Sequence, residues 1–310
     1  MIYLLLAILC GSLFSIVFKL GQRHGADGLQ VIFINYLVAF VFTLLPIAAR
    51  VAFNHSVSIG DYVPGPSSWL LGVVQGALFV AGFVVMDRST RRSGVALTTV
   101  CARASLILPV LLSWMLLGQP APAWLPVLLT VAALVLIVGP AGTAHSKRQD
   151  DSSSDSSGIL SSAVLVLLGV FLVIGFSDFF LKIVQHTVEK THADNPALME
   201  SRLSGLTCII FMMASIAALL VCLLSGSFRK HKVTWSTVGW GALLGIANIG
   251  CTSAMLRALG VMPTGLYYPL YNIGIVLVAT LAGLLLFGER LNWRQAAGLV
   301  LAIVAIAFSF

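Results

Sequence analysis

Apolar residues form ten long runs along the chain, separated by short polar connections. Each run is about 18 to 25 residues long, the length that a helix needs to cross about 30 Å of hydrocarbon. None alternates like a barrel strand, and a helix satisfies its own backbone hydrogen bonds in lipid. We therefore predict an all-α polytopic membrane protein with ten transmembrane helices, at residues 2–20, 29–48, 67–87, 94–117, 122–139, 158–182, 200–224, 234–256, 262–287 and 293–310.

One polar segment divides these runs into five and five. Residues 140–157 are dense in Ser and Asp and hold too little apolar surface to fold, which predicts a solvated linker. The expected domains are a first five-helix repeat at 1–139, this linker, and a second five-helix repeat at 158–310. Asp150, Asp151 and Asp155 resemble the metal-binding carboxylates of prenyl-transferring membrane enzymes. We favour a tether, because no other run supplies a second acidic cluster.

Short sequence features recur in the same order in the two halves. The turn Gly288–Trp293 precedes the last run, and a weaker copy, Gly118–Trp124, precedes the fifth. The first and sixth runs both close with Lys and Gln three residues apart, beginning at Lys19 and Lys182. Because five is odd, the second repeat would start on the opposite side of the membrane from the first. Such inverted repeats are typical of carriers that work by alternating access.

These features resemble the drug/metabolite transporter superfamily, in its EamA-like branch. The turn Gly288–Arg290, followed by Gln295 and Gly298, matches the family pattern. The first repeat departs from it at Gln119, where an acidic residue is usual, and the second span has Asn35 where Arg is frequent. The resemblance covers the whole chain and implies a secondary carrier of small organic metabolites, such as amino acids or related compounds.

Composition narrows the chemistry further. Hydrophobic residues make up 59% of the chain and charged residues 9%, against about 25% charged in soluble domains. The five cysteines form no close-spaced pair, and the six histidines show no ligand spacing. Gly139–Gly142 lacks the Lys and Ser/Thr of a phosphate-binding loop. We expect no metal, no cofactor and no direct use of ATP, so a gradient or facilitated diffusion would drive transport.

Arg103 is the clearest candidate for substrate binding. It lies deep in the fourth run among small residues, and a charge at such depth is costly unless it has a function or a partner. The structural alternative is that Arg103 pairs with Glu200 or Asp178. We favour a cavity-lining position, from which a guanidinium would bind a carboxylate or phosphate through two parallel hydrogen bonds.

The ninth run contains the second candidate group. Tyr268, Tyr271 and Asn272 stand at positions i, i+3 and i+4 and therefore share one helix face. Pro269 predicts a local break with free carbonyls. An interfacial aromatic belt is the alternative reading and suits Tyr267. For Tyr271 and Asn272, which lie deeper in the run, we favour a substrate-facing position, with Tyr268 beside them.

Two further charge pairs have both a functional and a structural interpretation. Asp178 is either a proton-coupling carboxylate or the i, i+4 partner of Lys182 at the membrane edge. We interpret Lys182 itself as an anchor that reaches the lipid headgroups. Glu200 and Arg202 open the seventh run, and we predict that they form a structural charge pair.

The function predicted from these observations is secondary transport of a small polar metabolite that carries a carboxylate, by alternating access across the cytoplasmic membrane of a bacterium. The protein is then not an enzyme, although a polytopic enzyme acting on a lipid-linked substrate remains the alternative. A channel ranks third, because the chain has no filter-like motif. The expected partners are the substrate, the bilayer and a coupling proton or other ion, without nucleic acid, and we expect a monomer.

Charge also predicts an orientation. The net charge is +7, and most Lys and Arg residues at run ends lie in the connections that follow odd-numbered runs, among them Arg88, Arg91, Arg92, Lys147 and Arg148. By the positive-inside rule these connections are cytoplasmic and both termini are outside. The family resemblance implies the opposite, cytoplasmic termini. We favour the charge count because the terminal tails are too short to resist translocation.

Overall fold

The computed structural model of the chain describes residues 1–24, 26–54, 58–63, 65–93, 95–138, 156–192, 194–287 and 293–308. All regular secondary structure within these ranges is helical, and one short 3₁₀ turn lies at Ile59–Asp61. The α-helices are α1 (Ile2–Arg23), α2 (Gly28–Phe53), α3 (Pro66–Ser93), α4 (Val95–Ala104), α5 (Ile107–Leu117), α6 (Trp124–Val138), α7 (Ser156–His192), α8 (Pro196–Ser225), α9 (Ser227–Lys230), α10 (Trp235–Val261), α11 (Thr264–Phe287) and α12 (Trp293–Ala307).

Within the described residues, seven helical segments are long and apolar enough to cross a membrane: Gly28–Phe53, Ser68–Ser93, Thr98–Leu117, Val164–His192, Pro196–Ser225, Trp235–Val261 and Thr264–Ala282. Three shorter apolar segments coincide with the first, fifth and tenth predicted spans: Ile2–Phe14, Trp124–Ile137 and Trp293–Ile306. The predicted all-helical character is confirmed, and the helices match the apolar runs closely. That all ten cross the membrane, in two inverted repeats, stays a prediction.

Local sequence signals set several helix ends. Asp27 and Asn195 cap the N-termini of α2 and α8, each accepting a hydrogen bond from the backbone N–H three residues later. Gly118 and Gly226 end α5 and α8 with φ near +64° and +67°, a left-handed conformation that glycine adopts without steric cost. The Gly118 turn is therefore a true helix stop. Its predicted counterpart at residues 288–292 lies outside the described residues.

The chain forms two compact units, and each takes helices from both halves of the sequence. One comprises Met1–Val80 and Phe180–Val261. In it, α1 packs along α10, α2 packs along both α8 and α10, and the 3₁₀ turn contacts α8. The rings of Tyr36, Phe79 and Phe211 pack together in its interior.

The second unit comprises Ala81–Phe179 and Met262–Phe310. Here α6 packs along α12 and also contacts α4 and α11, while α11 contacts α5 and α12. Ala133, Ile273, Ala302 and Ala305 form a buried cluster among these helices. The predicted linker lies outside the described residues as far as Asp155, so its solvated character stays a prediction.

Close helix crossings depend on small residues, as membrane interfaces generally do. A Cβ atom at Gly245 of α10 would lie 2.8 Å from the carbonyl oxygen of Asn35 and 2.9 Å from Cβ of Val38, both on α2. A Cβ at Gly298 of α12 would lie 3.0 Å from the carbonyl oxygen of Ala133 on α6. The backbones at both crossings are thus closer than any other residue would permit.

We expect Gly245→Ala to lower the thermal stability of the purified protein, because the added methyl group meets the backbone of α2. Overpacking of this kind costs about 1–3 kcal/mol. The matched control is Gly239→Ala in the same helix, where an added Cβ would meet nothing within 4 Å. Thermal unfolding in detergent should show a lower midpoint for Gly245→Ala alone, and equal midpoints for the two variants would contradict the crossing described here.

Candidate functional site

A two-residue turn at Ser105 and Leu106 divides the fourth predicted span into α4 and α5. Pro109 has no N–H to donate to the carbonyl of Ser105, and its ring crowds that carbonyl. The chain tightens instead, with N–H groups of Leu106 and Leu108 donating to carbonyls three residues back at 3.3 and 2.9 Å. The apolar segment Thr98–Leu117 is still long enough to cross a membrane, as predicted, with this tight turn inside it. Arg103 lies in the last turn of α4, where a positive charge faces the negative end of the helix dipole.

A glycine on α7 brings that helix against the break. A Cβ at Gly175 would lie 2.9 Å from Cβ of Leu108 and 3.0 Å from the carbonyl oxygen of Ser105. Since only glycine fits there, α7 passes directly beside the residues that join α4 to α5. One turn further along α7, Asp178 lies close enough to Arg103 for their side chains to interact electrostatically.

Arg103 reaches α11 through an amide. Its Nη1 donates to Oδ1 of Asn272 at 3.2 Å, and Nδ2 of Asn272 donates to the carbonyl oxygen of Tyr268 at 3.0 Å. The hydroxyl of Tyr268 donates to the main-chain carbonyl of Asp178 at 2.6 Å. These bonds connect α4, α11 and α7 within one unit. We call Arg103, Asp178, Tyr268, Tyr271 and Asn272 the interior polar cluster.

A third tyrosine, Tyr267, packs against the two tyrosines of this cluster. Tyr267 packs edge-on against Tyr268, with centroids 5.2 Å apart, and stacks on Tyr271 at 5.5 Å. Tyr267 and Tyr268 are fully buried, so the suggestion that Tyr267 belongs to an interfacial belt was wrong. Tyr271 keeps part of its surface exposed. The helix also runs unbroken through Pro269, so the local break that was predicted there was wrong.

The sequence prediction for α7 was too short at its C-terminal end. The helix continues ten residues beyond Lys182, whose side chain is almost fully buried among other protein groups. Its Nζ donates to Oε1 of Gln185 and to the carbonyl oxygen of Leu259, both at 2.7 Å. Gln185 in turn donates to Glu189 at 2.7 Å. Lys182 thus joins α7 to α10 through buried hydrogen bonds, and the anchoring role predicted for it was wrong.

The predicted charge pair between Glu200 and Arg202 was also wrong, because Glu200 pairs with a different arginine. Glu200 forms its ion pair with Arg257 of α10. Residues two apart on a helix point in different directions, which explains why Arg202 is not the partner. Nε of Arg202 is buried and has no hydrogen-bond partner among the described residues. Arg257 directly follows the eighth predicted run, and its role as the partner of Glu200 was not predicted.

The interior polar cluster offers charge of both signs beside an aromatic surface. Arg103 uses one of its five N–H donors to bond Asn272. The side chains of Arg103, Asp178 and Tyr271 are all partly exposed. Tyr268 and Asn272 are buried and bonded within the protein, so they position the other members. Among the described residues, no group of three or more His, Cys, Asp or Glu side chains has the geometry to hold a metal ion.

Comparisons with known proteins place the fold without naming an activity. A solved crystal structure superposes on the chain with a TM-score of 0.71, covering 99% of this chain and 96% of that one, at 15% sequence identity. At this identity the likeness shows a shared fold alone. An uncharacterized protein of Haemophilus influenzae is 22% identical over 306 residues, which is 98% of this chain and 95% of that protein. No family model matches the chain.

We expect Tyr268→Phe to destabilise the protein by about 0.5–1.5 kcal/mol, the usual net contribution of one hydrogen bond, because the carbonyl of Asp178 loses its hydroxyl partner. Tyr3→Phe is the control, since Tyr3 is exposed. Denaturant titration of the purified protein measures the difference between the two variants. Equal stability for both would mean that the hydroxyl of Tyr268 does not hold α11 to α7.

Proposed function

We propose that this protein is a secondary transporter of the drug/metabolite transporter type, with ten transmembrane helices in two inverted repeats. Its substrate is a small polar metabolite that carries a carboxylate, and it works by alternating access in a bacterial cytoplasmic membrane. Transport rather than catalysis is favoured because the cluster joins a cation, a carboxylate and aromatic rings on apolar helices. Buried ionisable groups in membrane helices usually mark a substrate or ion pathway.

The observation that carries the proposal is the bond between Arg103 and Asn272 beside Asp178. Three residues chosen from the sequence for their intramembrane polarity lie together in the structure. Arg103 comes from the first half of the sequence and the other two from the second, as expected for a site shared by two repeats. The partly exposed guanidinium has the donors to bind a carboxylate, and the ring of Tyr271 offers an apolar surface beside it.

Helix pairing supports the repeat as well. The second predicted span packs along the seventh, as α2 and α8, and the fifth packs along the tenth, as α6 and α12. These are the pairs that equivalent helices of two five-span repeats make about a pseudo-two-fold axis. Alternating access in such carriers is an exchange of conformations between the two repeats.

We expect Arg103→Gln to reduce substrate uptake strongly at low substrate concentration, while the protein still folds. A thermal-shift screen of amino acids, nucleosides, sugars and organic acids identifies a ligand, because a ligand that binds only the folded state raises the melting temperature. Uptake of that compound into proteoliposomes then measures transport, with Arg88→Gln as the control, since Arg88 is exposed on α3. Removing a charge-assisted contact costs about 1.5–3 kcal/mol, or roughly tenfold to a hundredfold in affinity. Unchanged uptake in Arg103→Gln would remove Arg103 from the mechanism.

We expect Asp178→Asn to separate coupling from translocation. The carboxylate lies beside Arg103 and next to the Tyr268 bond, where a change of its protonation alters the charge that Arg103 presents to the substrate. The variant should lose accumulation driven by a proton gradient and keep exchange of substrate against preloaded substrate. Both assays use the same proteoliposomes. Gradient-driven uptake at the wild-type rate would show that Asp178 carries no coupling proton.

A further inference from the structure

A separate cavity of about 250 Å³ lies within the unit that contains α2, α8 and α10. It is smaller than the roughly 300–1,000 Å³ of pockets for drug-sized ligands and holds the volume of about eight water molecules. None of the residues that line it belongs to the interior polar cluster. Its walls come from one face of each helix and from the residue after the 3₁₀ turn: Phe42, Thr43, Pro46, Ile47, Arg50, Tyr62, Glu200, Leu203, Ser204, Thr207, Ile249, Ser253 and Arg257.

The shape of the cavity follows from the helical repeat. On α2 the lining runs from Phe42 to Arg50, eight residues or about 12 Å along the axis. Arg50 lies one turn from the end of α2, and Glu200 lies in the second turn of α8. The cavity is therefore a slot that begins near the helix ends and extends inward between them.

Charge is concentrated at the outer end of this slot. Glu200 and Arg257 form an ion pair there, with 45% and 29% of their side chains exposed, and Arg50 adds a second guanidinium. Arg257 also donates to the carbonyl oxygen of Ser253 at 3.0 Å. Several guanidinium N–H donors remain for another acceptor. Two positive groups against one negative group favour a ligand with a negative head.

The rest of the slot is lined by hydrocarbon side chains together with hydroxyl groups. Phe42, Ile47 and Ile249 contribute hydrocarbon surface. The hydroxyls of Ser204 and Thr207 already donate to carbonyls of their own helix, at 2.9 and 2.8 Å. Because these two hydroxyl protons are already donated, Ser204 and Thr207 do not require a hydrogen-bond acceptor on the ligand. The slot therefore suits a molecule that is charged at one end and apolar at the other.

Tyr62 closes one side of the slot and is held firmly. A Cβ atom at Gly205 of α8 would collide with the carbonyl oxygen of Tyr62, so the backbone of the loop lies directly on the helix. Tyr62 is buried against Ile47 and Cys208. The wall is therefore part of the packed fold.

We propose that this slot binds an amphipathic carboxylate, with the anionic head on Arg257 and Arg50 and the apolar body between Phe42, Ile47 and Ile249. The ligand head competes with Glu200 for Arg257. It follows that Glu200 opposes the binding of a simple anion, whereas it would favour a zwitterion. The proposal is independent of the carrier function, because it uses none of the residues of the interior polar cluster.

The test is calorimetric titration of hexanoate into the full-length protein in nanodiscs of neutral phosphatidylcholine, with hexylammonium as the comparison ligand. Wild-type protein should bind hexanoate and not hexylammonium. Arg257→Gln should weaken hexanoate binding about tenfold or more, since a charge-assisted contact is lost. Glu200→Gln should tighten it, because the guanidinium loses its competitor. The control is Arg229→Gln, an exposed cation on α9, which should bind as wild type.

A second arginine variant and a second ligand complete the test. If Arg257→Gln fails to fold, Arg50→Gln replaces it, since Arg50 is exposed, and a loss of several-fold is expected. Thermal stabilisation by oleate, measured in the same nanodiscs, shows whether the ligand enters the slot out of the bilayer or out of the aqueous phase. A response to oleate alone assigns the slot to a lipid carboxylate, and a response to hexanoate assigns it to a soluble one. Failure of both to bind, or wild-type binding in both arginine variants, would overturn the proposal.

Discussion

A polar side chain that is buried among apolar helices can bond only to other protein groups, and this constraint organises the interior of the molecule. Arg103 bonds to Asn272 across helices, and the buried Lys182 uses Gln185 and the carbonyl of Leu259. Asn248 donates to Asn35 at 3.2 Å. Each bond joins groups that a lipid environment would leave unsatisfied at a cost of several kcal/mol. Polar residues therefore fix which helix faces which, and apolar packing fills the space that remains.

Small residues make those polar contacts possible. Helices that cross at Gly175, Gly245 or Gly298 approach within backbone contact distance, so short side chains such as Asn and Ser reach across. The turn before Pro109 has a related effect, because it ends α4 one residue after Arg103, in the part of the chain that packs beside α7. The interior polar cluster is thus a product of local backbone geometry as much as of charge.

The sequence predicted the helices well and their contacts poorly. Long apolar runs determine where helices lie, so most bounds fall within a few residues. The prediction failed where polar residues continue a helix: α7 extends through Lys182 and Gln185 because they bond within the protein, and composition alone assigned them to the membrane edge.

The two candidate sites differ in how far the sequence revealed them. The members of the interior polar cluster were found from their unusual polarity, yet the bonds among them depend on contacts between residues far apart in the chain, which no periodicity contains. Pro109 was a readable signal for the break in the fourth span. The slot was missed, although Ser253 and Arg257 stand four residues apart on α10 and face the outer end of α2, which carries Arg50.

The contact between Gly205 and Tyr62 has a consequence for how this chain can evolve. The backbone of the loop at Tyr62 occupies a space that exists only because position 205 has no side chain. Insertions and substitutions elsewhere in that loop leave the space intact, whereas any change at 205 must move the loop. A lineage that keeps this loop on α8 therefore keeps glycine at 205, and a lineage that loses the glycine must rebuild one wall of the slot.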